Sequence, residues 1–177
     1  MTWPAAPQPP VFPAGYGPLP ADFAGWVQQQ FGAQTGKVVF RAVKTTAQSI
    51  PGGTSPVIQF NSIREDPYSG WSSSAWTWTP PAGWTGLYQV ALSIGATLPG
   101  GSLIGQVTAA PYIISGGGSA PVSAPAISTV SMLVIVPAVA GVTGISGIVY
   151  LTGTAGTGTL TTAIGSQTQM TITWIGG

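Results

Sequence analysis

The chain contains no cysteine and no histidine. Without cysteine it forms no disulfide, offers no thiolate to a metal and runs no thiol chemistry. Without histidine it assembles neither a Ser-His-Asp nor a Cys-His arrangement, and no imidazole metal site. Charge is nearly as scarce: 4% of residues are charged, against about a quarter in an ordinary soluble domain. They are Asp22, Lys37, Arg41, Lys44, Arg64, Glu65 and Asp66, and nothing after Asp66 carries a formal charge. Four basic residues are too few for a nucleic-acid footprint. Glu65 and Asp66 are sequence neighbours, so an extended strand points them to opposite sides. A retaining glycosidase needs two carboxyl groups about 5 Å apart across a sugar. Neither enzyme activity nor a cofactor is therefore expected. Glu65 and Asp66 with nearby carbonyls are the one place where calcium could be held; a solvated corner beside Arg64 is the commoner use of such a run. Gly153, Gly156 and Gly158 precede neither a helix nor a lysine, which excludes a phosphate loop.

An uncharged exterior gains little solubility from self-repulsion. Uncharged, apolar surface is what obligate interfaces use, so much of the exterior after residue 66 is expected to be covered by other chains. The apolar run 130–151 is long enough to span a bilayer. Pro137, Gly141, Gly144 and Gly147 interrupt it, however, and neither Lys nor Arg flanks it. Two buried strands joined by a Gly-rich turn fit better than a membrane span. No basic segment followed by an apolar one opens the chain, so no secretory signal is expected.

What is abundant is tryptophan, and residues 71–96 hold Trp71, Trp76, Trp78 and Trp84. They also hold the clearest strand. Tyr88, Val90, Leu92, Ile94 and Ala96 share one face, and Leu87, Gln89, Ala91, Ser93 and Gly95 share the other. Upstream, Trp76 and Trp78 alternate with Thr77 and Thr79 in the same way, which predicts a second core strand. Between the two runs, Pro80-Pro81-Ala82-Gly83 forces a turn, with Gly83 free to take positive φ. Trp71 and Trp84 then cover an edge of the core or, alternatively, offer a platform to sugar rings.

Residues 1–20 are an extended, Pro-rich arm with polyproline II character, along which Trp3, Phe12 and Tyr16 are spaced as apolar anchors. Residues 21–36 form a short helix and linker. Asp22 is the expected N-cap, Phe23, Trp26, Val27 and Phe31 make one apolar stripe, and Gly32 supplies the stop. Ten residues are too few for a helix to stand alone in water, so this one must dock on its own domain, a neighbouring subunit or a partner.

Residues 37–177 read as an all-β domain of eight or nine short strands, which points to a sandwich. A first strand over 37–44 places Val38, Phe40 and Ala42 on one face, and a second over 57–63 places Ile58 and Phe60 inward. Residues 64–67 form a polar corner, and 75–79 and 86–97 are the tryptophan and tyrosine strands. Residues 102–114 make one weak strand or two short ones, and 115–119 is a Gly-rich loop. In the strand over 126–136, Val130, Met132, Val134 and Val136 oppose Leu133 and Ile135, so both faces are expected to be buried. Strands over 144–151 and 167–175 close the set, and 152–166 could extend either of them.

The run Pro56-Val57-Ile58-Gln59-Phe60, then Asp66, Trp71, Trp78-Thr79-x-Pro81 and Gly86-x-Tyr88, resembles the tumour-necrosis-factor-like jelly roll, in the version of the globular complement head. The resemblance covers residues 37–177 and departs from that family in its lack of charge and its Trp-rich loop. It implies a jelly-roll β-sandwich of two antiparallel sheets that assembles as a compact homotrimer, with Leu133 and Ile135 along the threefold. The arm and helix are similar to the N-termini of small structural proteins of tailed bacteriophages. That second resemblance implies a virion location, with Trp3, Phe12, Tyr16, Phe23, Trp26 and Phe31 contacting a virion partner such as the major capsid protein. The expected role is capsid decoration. A trimeric tail or fibre tip that grips a host-surface glycan through Trp71 and Trp84 is the rival.

Overall fold

The computed structural model describes residues 36–110, 112–119, 121–123, 125–153, 156–161 and 167–176. The expected arm and helix, with Trp3, Phe12, Tyr16, Phe23, Trp26 and Phe31, lie outside these residues. The described residues hold twelve strands and no helix. In chain order the strands are β1 (Lys37–Val43), β2 (Gln48–Pro51), β3 (Ser62–Glu65), β4 (Trp71–Ser72), β5 (Thr77–Trp78) and β6 (Gly86–Leu98), then β7 (Ser102–Ala109), β8 (Tyr112–Gly118), β9 (Ala126–Ala138), β10 (Ile145–Thr152), β11 (Thr157–Leu160) and β12 (Gln169–Gly176). They form two antiparallel sheets. One has seven strands in the order β2-β11-β6-β12-β1-β3, with β9 along the other edge of β6. The other has five, in the order β4-β5-β10-β7-β8.

β6 is the axis of the larger sheet. Its 13 residues pair with β9 along their whole length, and with β12 and then β11 on the opposite edge. Tyr88, Val90, Leu92, Ile94 and Ala96 are buried between the sheets, as their alternation requires. Fully removing such side chains from water contributes about 1.5–3 kcal/mol each. The turn before β6 also follows from its residues: Trp84 N donates to Pro81 O at 3.1 Å, and Gly83 has φ 85°, the left-handed value open to glycine.

Four expectations give way to the structure. In β1 the register slips between Val38 and Phe40. This bulge turns both Val39 and Phe40 into the core and leaves Val38 half-exposed. The 57–63 segment keeps Ile58 and Phe60 buried, but its regular pairing begins only at Ser62 and runs through Glu65, so β3 takes up part of the expected polar corner. Residues 73–76 form the turn of the β4–β5 hairpin; Trp76 sits there at φ 55°, half-buried, and only Trp78 is core. The expected loop over 115–119 is strand through Gly118. Gly117 pairs with Gly105, and Val130 Cγ1 would lie 3.1 Å from a Cβ on the first and 3.3 Å from one on the second. These glycines let the facing sheet approach; they do not turn the chain.

Candidate interaction surfaces

The described tryptophans gather at the end of the sandwich where β1 begins and β12 finishes, because a turn built on Asp66 organises them. Asp66-Pro67-Tyr68-Ser69 has the residues a β-turn prefers, with Asp first and Pro second, and Ser69 N donates to Asp66 O at 3.2 Å. The Asp66 carboxylate then takes three N–H donors. Oδ1 accepts from Gly70 N at 3.0 Å and from Trp78 Nε1 at 3.2 Å, and Oδ2 accepts from Trp71 N at 3.0 Å. Gly70 is required here, since a Cβ would stand 2.6 Å from both Trp78 Nε1 and Thr79 O. Both carboxylate oxygens are thus committed to the fold. Glu65, the other half of the considered calcium site, faces Arg41 at 3.7 Å instead. No group of metal-ligating side chains occurs among the described residues.

Trp71 and Trp84, the residues considered for a glycan platform, are both half-buried and packed against other rings. Trp71 stacks on Phe40 at 5.1 Å and 21° and meets Phe60 and Trp76 at 6.3 Å each. Trp84 packs against Tyr68 at 4.6 Å and Trp174 at 5.1 Å. The Lys37 ammonium lies 5.1 Å from the Tyr68 ring centre and 5.4 Å from that of Trp84, so a cation of the chain itself takes the aromatic face. Tyr88 ties this end to the core. Its ring meets Trp78 edge-on at 5.6 Å, its hydroxyl donates to the Trp84 carbonyl, and burial pushes its pKa up to about 12. Among the described residues, an open depression of about 510 Å³ is lined by Val38, Glu65, Asp66 and Pro67, none of them a tryptophan.

The second surface is the outward face of β9. Its 13-residue register on β6 places Ile127, Thr129, Ser131, Leu133, Ile135 and Pro137 on the side away from the smaller sheet. Leu133 is 63% exposed, Ile135 59% and Ile127 60%. The expectation that both faces of this strand are buried therefore fails for a single chain: Val130, Met132 and Val136 are core, and Leu133 and Ile135 face out. Their rungs on β6 and β12 continue with small or uncharged residues, Leu133–Ala91–Thr171 and Ile135–Gln89–Thr173. The first charged groups along the Leu133 rung are Arg41 on β1 and Glu65 on β3.

Among solved structures, the fold is similar to the globular domain of the zebrafish complement 1qA protein, with a TM-score of 0.53 at 12% identity over 77% of this chain and 95% of that one. It is also similar to PRD1 vertex protein P5, with a TM-score of 0.51 at 16% identity over 79% of this chain and 99% of that one. These likenesses define the architecture: a two-sheet, all-β jelly roll of the kind seen in complement heads. No protein-family model and no curated protein sequence matches the chain.

Proposed function

We propose that this chain is a non-enzymatic structural protein of a phage virion, a homotrimeric decoration protein fastened to the capsid by its N-terminal arm. The observation that carries this reading is the outward face of β9, where Leu133 and Ile135 stand in solvent on a long, uncharged strand. Uncharged apolar surface of this kind is what permanent assemblies cover, and a second copy of the same chain supplies a matching face. The virion location draws on the likeness to a phage vertex protein and on the Pro-rich arm. Trp3, Phe12 and Tyr16 fill apolar depressions on the partner or on the next copy of this chain, and the stripe Phe23/Trp26/Val27/Phe31 sets the angle at which the arm leaves. The glycan-binding reading has less support, because Trp71 and Trp84 stack on the protein's own rings and lie at the end from which the arm departs.

The test compares the full chain with one beginning at Gly36, both added to particles that lack the protein. The full chain is expected to join the particles and the shortened trimer to stay in solution. Equal binding by both would make the jelly roll the docking surface, and binding by neither would remove the virion reading.

A further inference from the structure

The loop after β9 presents apolar side chains on a backbone that is unusually well held. Gly141 N donates to Pro80 O at 2.8 Å, Val142 N to Val139 O at 3.1 Å, and Thr143 N to Val139 O at 3.0 Å. Val139 N donates to Thr143 Oγ1 and Ala140 N to Thr85 Oγ1, both at 3.0 Å. On this fixed frame Val142 is 75% exposed and Val139 48%. Leu87, 38% exposed, lies opposite Pro137 in the β6–β9 register, two residues before Val139 on the strand that leads into this loop. A flexible loop can fold its valines inward, but this one is pinned with them facing out, which is the form of a preformed seat.

We infer that the seat is filled by residues 22–31 of the same chain, their Phe23/Trp26/Val27/Phe31 stripe lying on Leu87, Val139 and Val142. The reach is sufficient. β1 and β9 are separated by β12 and β6, three strand spacings, or roughly 14 Å. The five residues 32–36 span up to about 17 Å when extended. The chain also departs from the line of β1 at Gly36, whose φ of 69° is left-handed; a Cβ there would meet Thr173 Cγ2 at 2.6 Å. A ten-residue amphipathic segment needs a surface to be helical at all, and this one is uncharged, apolar and within reach. The inference requires neither the trimer nor the virion.

Amide hydrogen exchange on the full chain tests it, comparing the native sequence with Leu87→Asp/Val142→Asp. Both positions are at the surface, and the β6 and β12 amides in the same measurement report whether the sandwich is intact. In the native chain the amides of residues 25–31 are expected to exchange at least about 10-fold more slowly than an unstructured chain. In the double variant that protection is expected to vanish while the sheet amides stay protected. Three results overturn the inference: unstructured exchange over 25–31 in the native chain, protection that survives the double substitution, or protection that appears only as protein concentration rises, which would make the occupant another copy's segment.

Discussion

The indole N–H of Trp78 donates to the carboxylate of Asp66 at 3.2 Å, so the best-buried tryptophan of the smaller sheet is held by a charge on the loop that precedes it. With the Gly70 and Trp71 amides, the carboxylate organises the whole aromatic end. Hydrogen bonds to charged groups contribute roughly 1.5–3 kcal/mol each, and their loss leaves donors unsatisfied. Asp66→Ala is therefore expected to cost about 3 kcal/mol in denaturant unfolding, and Asp66→Asn, which keeps an acceptor, clearly less. Millimolar calcium should leave the melting temperature of the native protein unchanged. A calcium-dependent rise would mean that Asp66 serves a cation instead.

Tyr88 gives the fold an alkaline limit. Its pKa is raised from 10 to about 12 by burial, so the folded state favours the neutral phenol. The sign follows from linkage: the contribution is complete below pH 10, where the unfolded chain is also neutral, and is lost as pH rises towards 12. Stability of the native protein should fall across that window more steeply than that of Tyr88→Phe. Parallel pH profiles for the two would show that Tyr88 does not couple to folding.

Much of this architecture was legible, and the failures share a cause. The β6 burial alternates over 88–94 and is broken only where Gly95 is buried as well, and its inward side chains are those the period predicts. Leu133 and Ile135 were separable from the core side of β9 by the same rule, but periodicity alone could not say whether water or another chain meets them. What could not be read was glycine used for packing. Gly117 reads as a loop residue, yet it makes room for Val130. Gly158 lies in a run that reads as an extension of either neighbouring strand; it sits instead in a strand of its own, β11, where a Cβ would meet Leu151 Cδ1 at 2.8 Å. β2 went unseen because it is short, ends in proline and is defined by its pairing with β11. Val139 and Val142 belong to an apolar run whose hydropathy cannot show that hydrogen bonds from the Gly141 and Ala140 amides to Pro80 O and Thr85 Oγ1 hold the turn with its valines outward.

Lys44 is a cost the fold carries. It is 3% exposed, its ammonium donates to Thr46 Oγ1 at 2.9 Å, and it has no ion-pair partner among the described residues. Burial lowers its pKa, so the charged form is disfavoured in the folded state. Stability should therefore rise with pH between that lowered value and 10.5. Lys44→Met keeps the apolar stem and removes the charge, and is expected to stabilise by about 1 kcal/mol at neutral pH. It should also flatten the slope between the lowered value and 10.5. A loss of stability in chemical denaturation would show that the ammonium has a compensating contact.

The proposed trimer places the outward face of β9 between copies of the chain. Leu133 and Ile135 are neighbours on that face, 63% and 59% exposed, and their β6 partners Ala91 and Gln89 are small or uncharged, so another chain can approach closely. A carboxylate on this face would be trapped at an interface between copies and would repel its counterpart, but it would sit in water on a monomer at little cost. Leu133→Asp together with Ile135→Asp should therefore leave the sandwich folded by circular dichroism and abolish association. Light scattering should give three times the chain mass for the native protein at micromolar concentration and a single chain mass for the variant. A native protein that is monomeric at that concentration would remove the trimer. A variant that remains trimeric would move the interface elsewhere, with the outer face of β7 and β10 the next to examine, since Ile104 and Tyr150 are paired there and partly exposed.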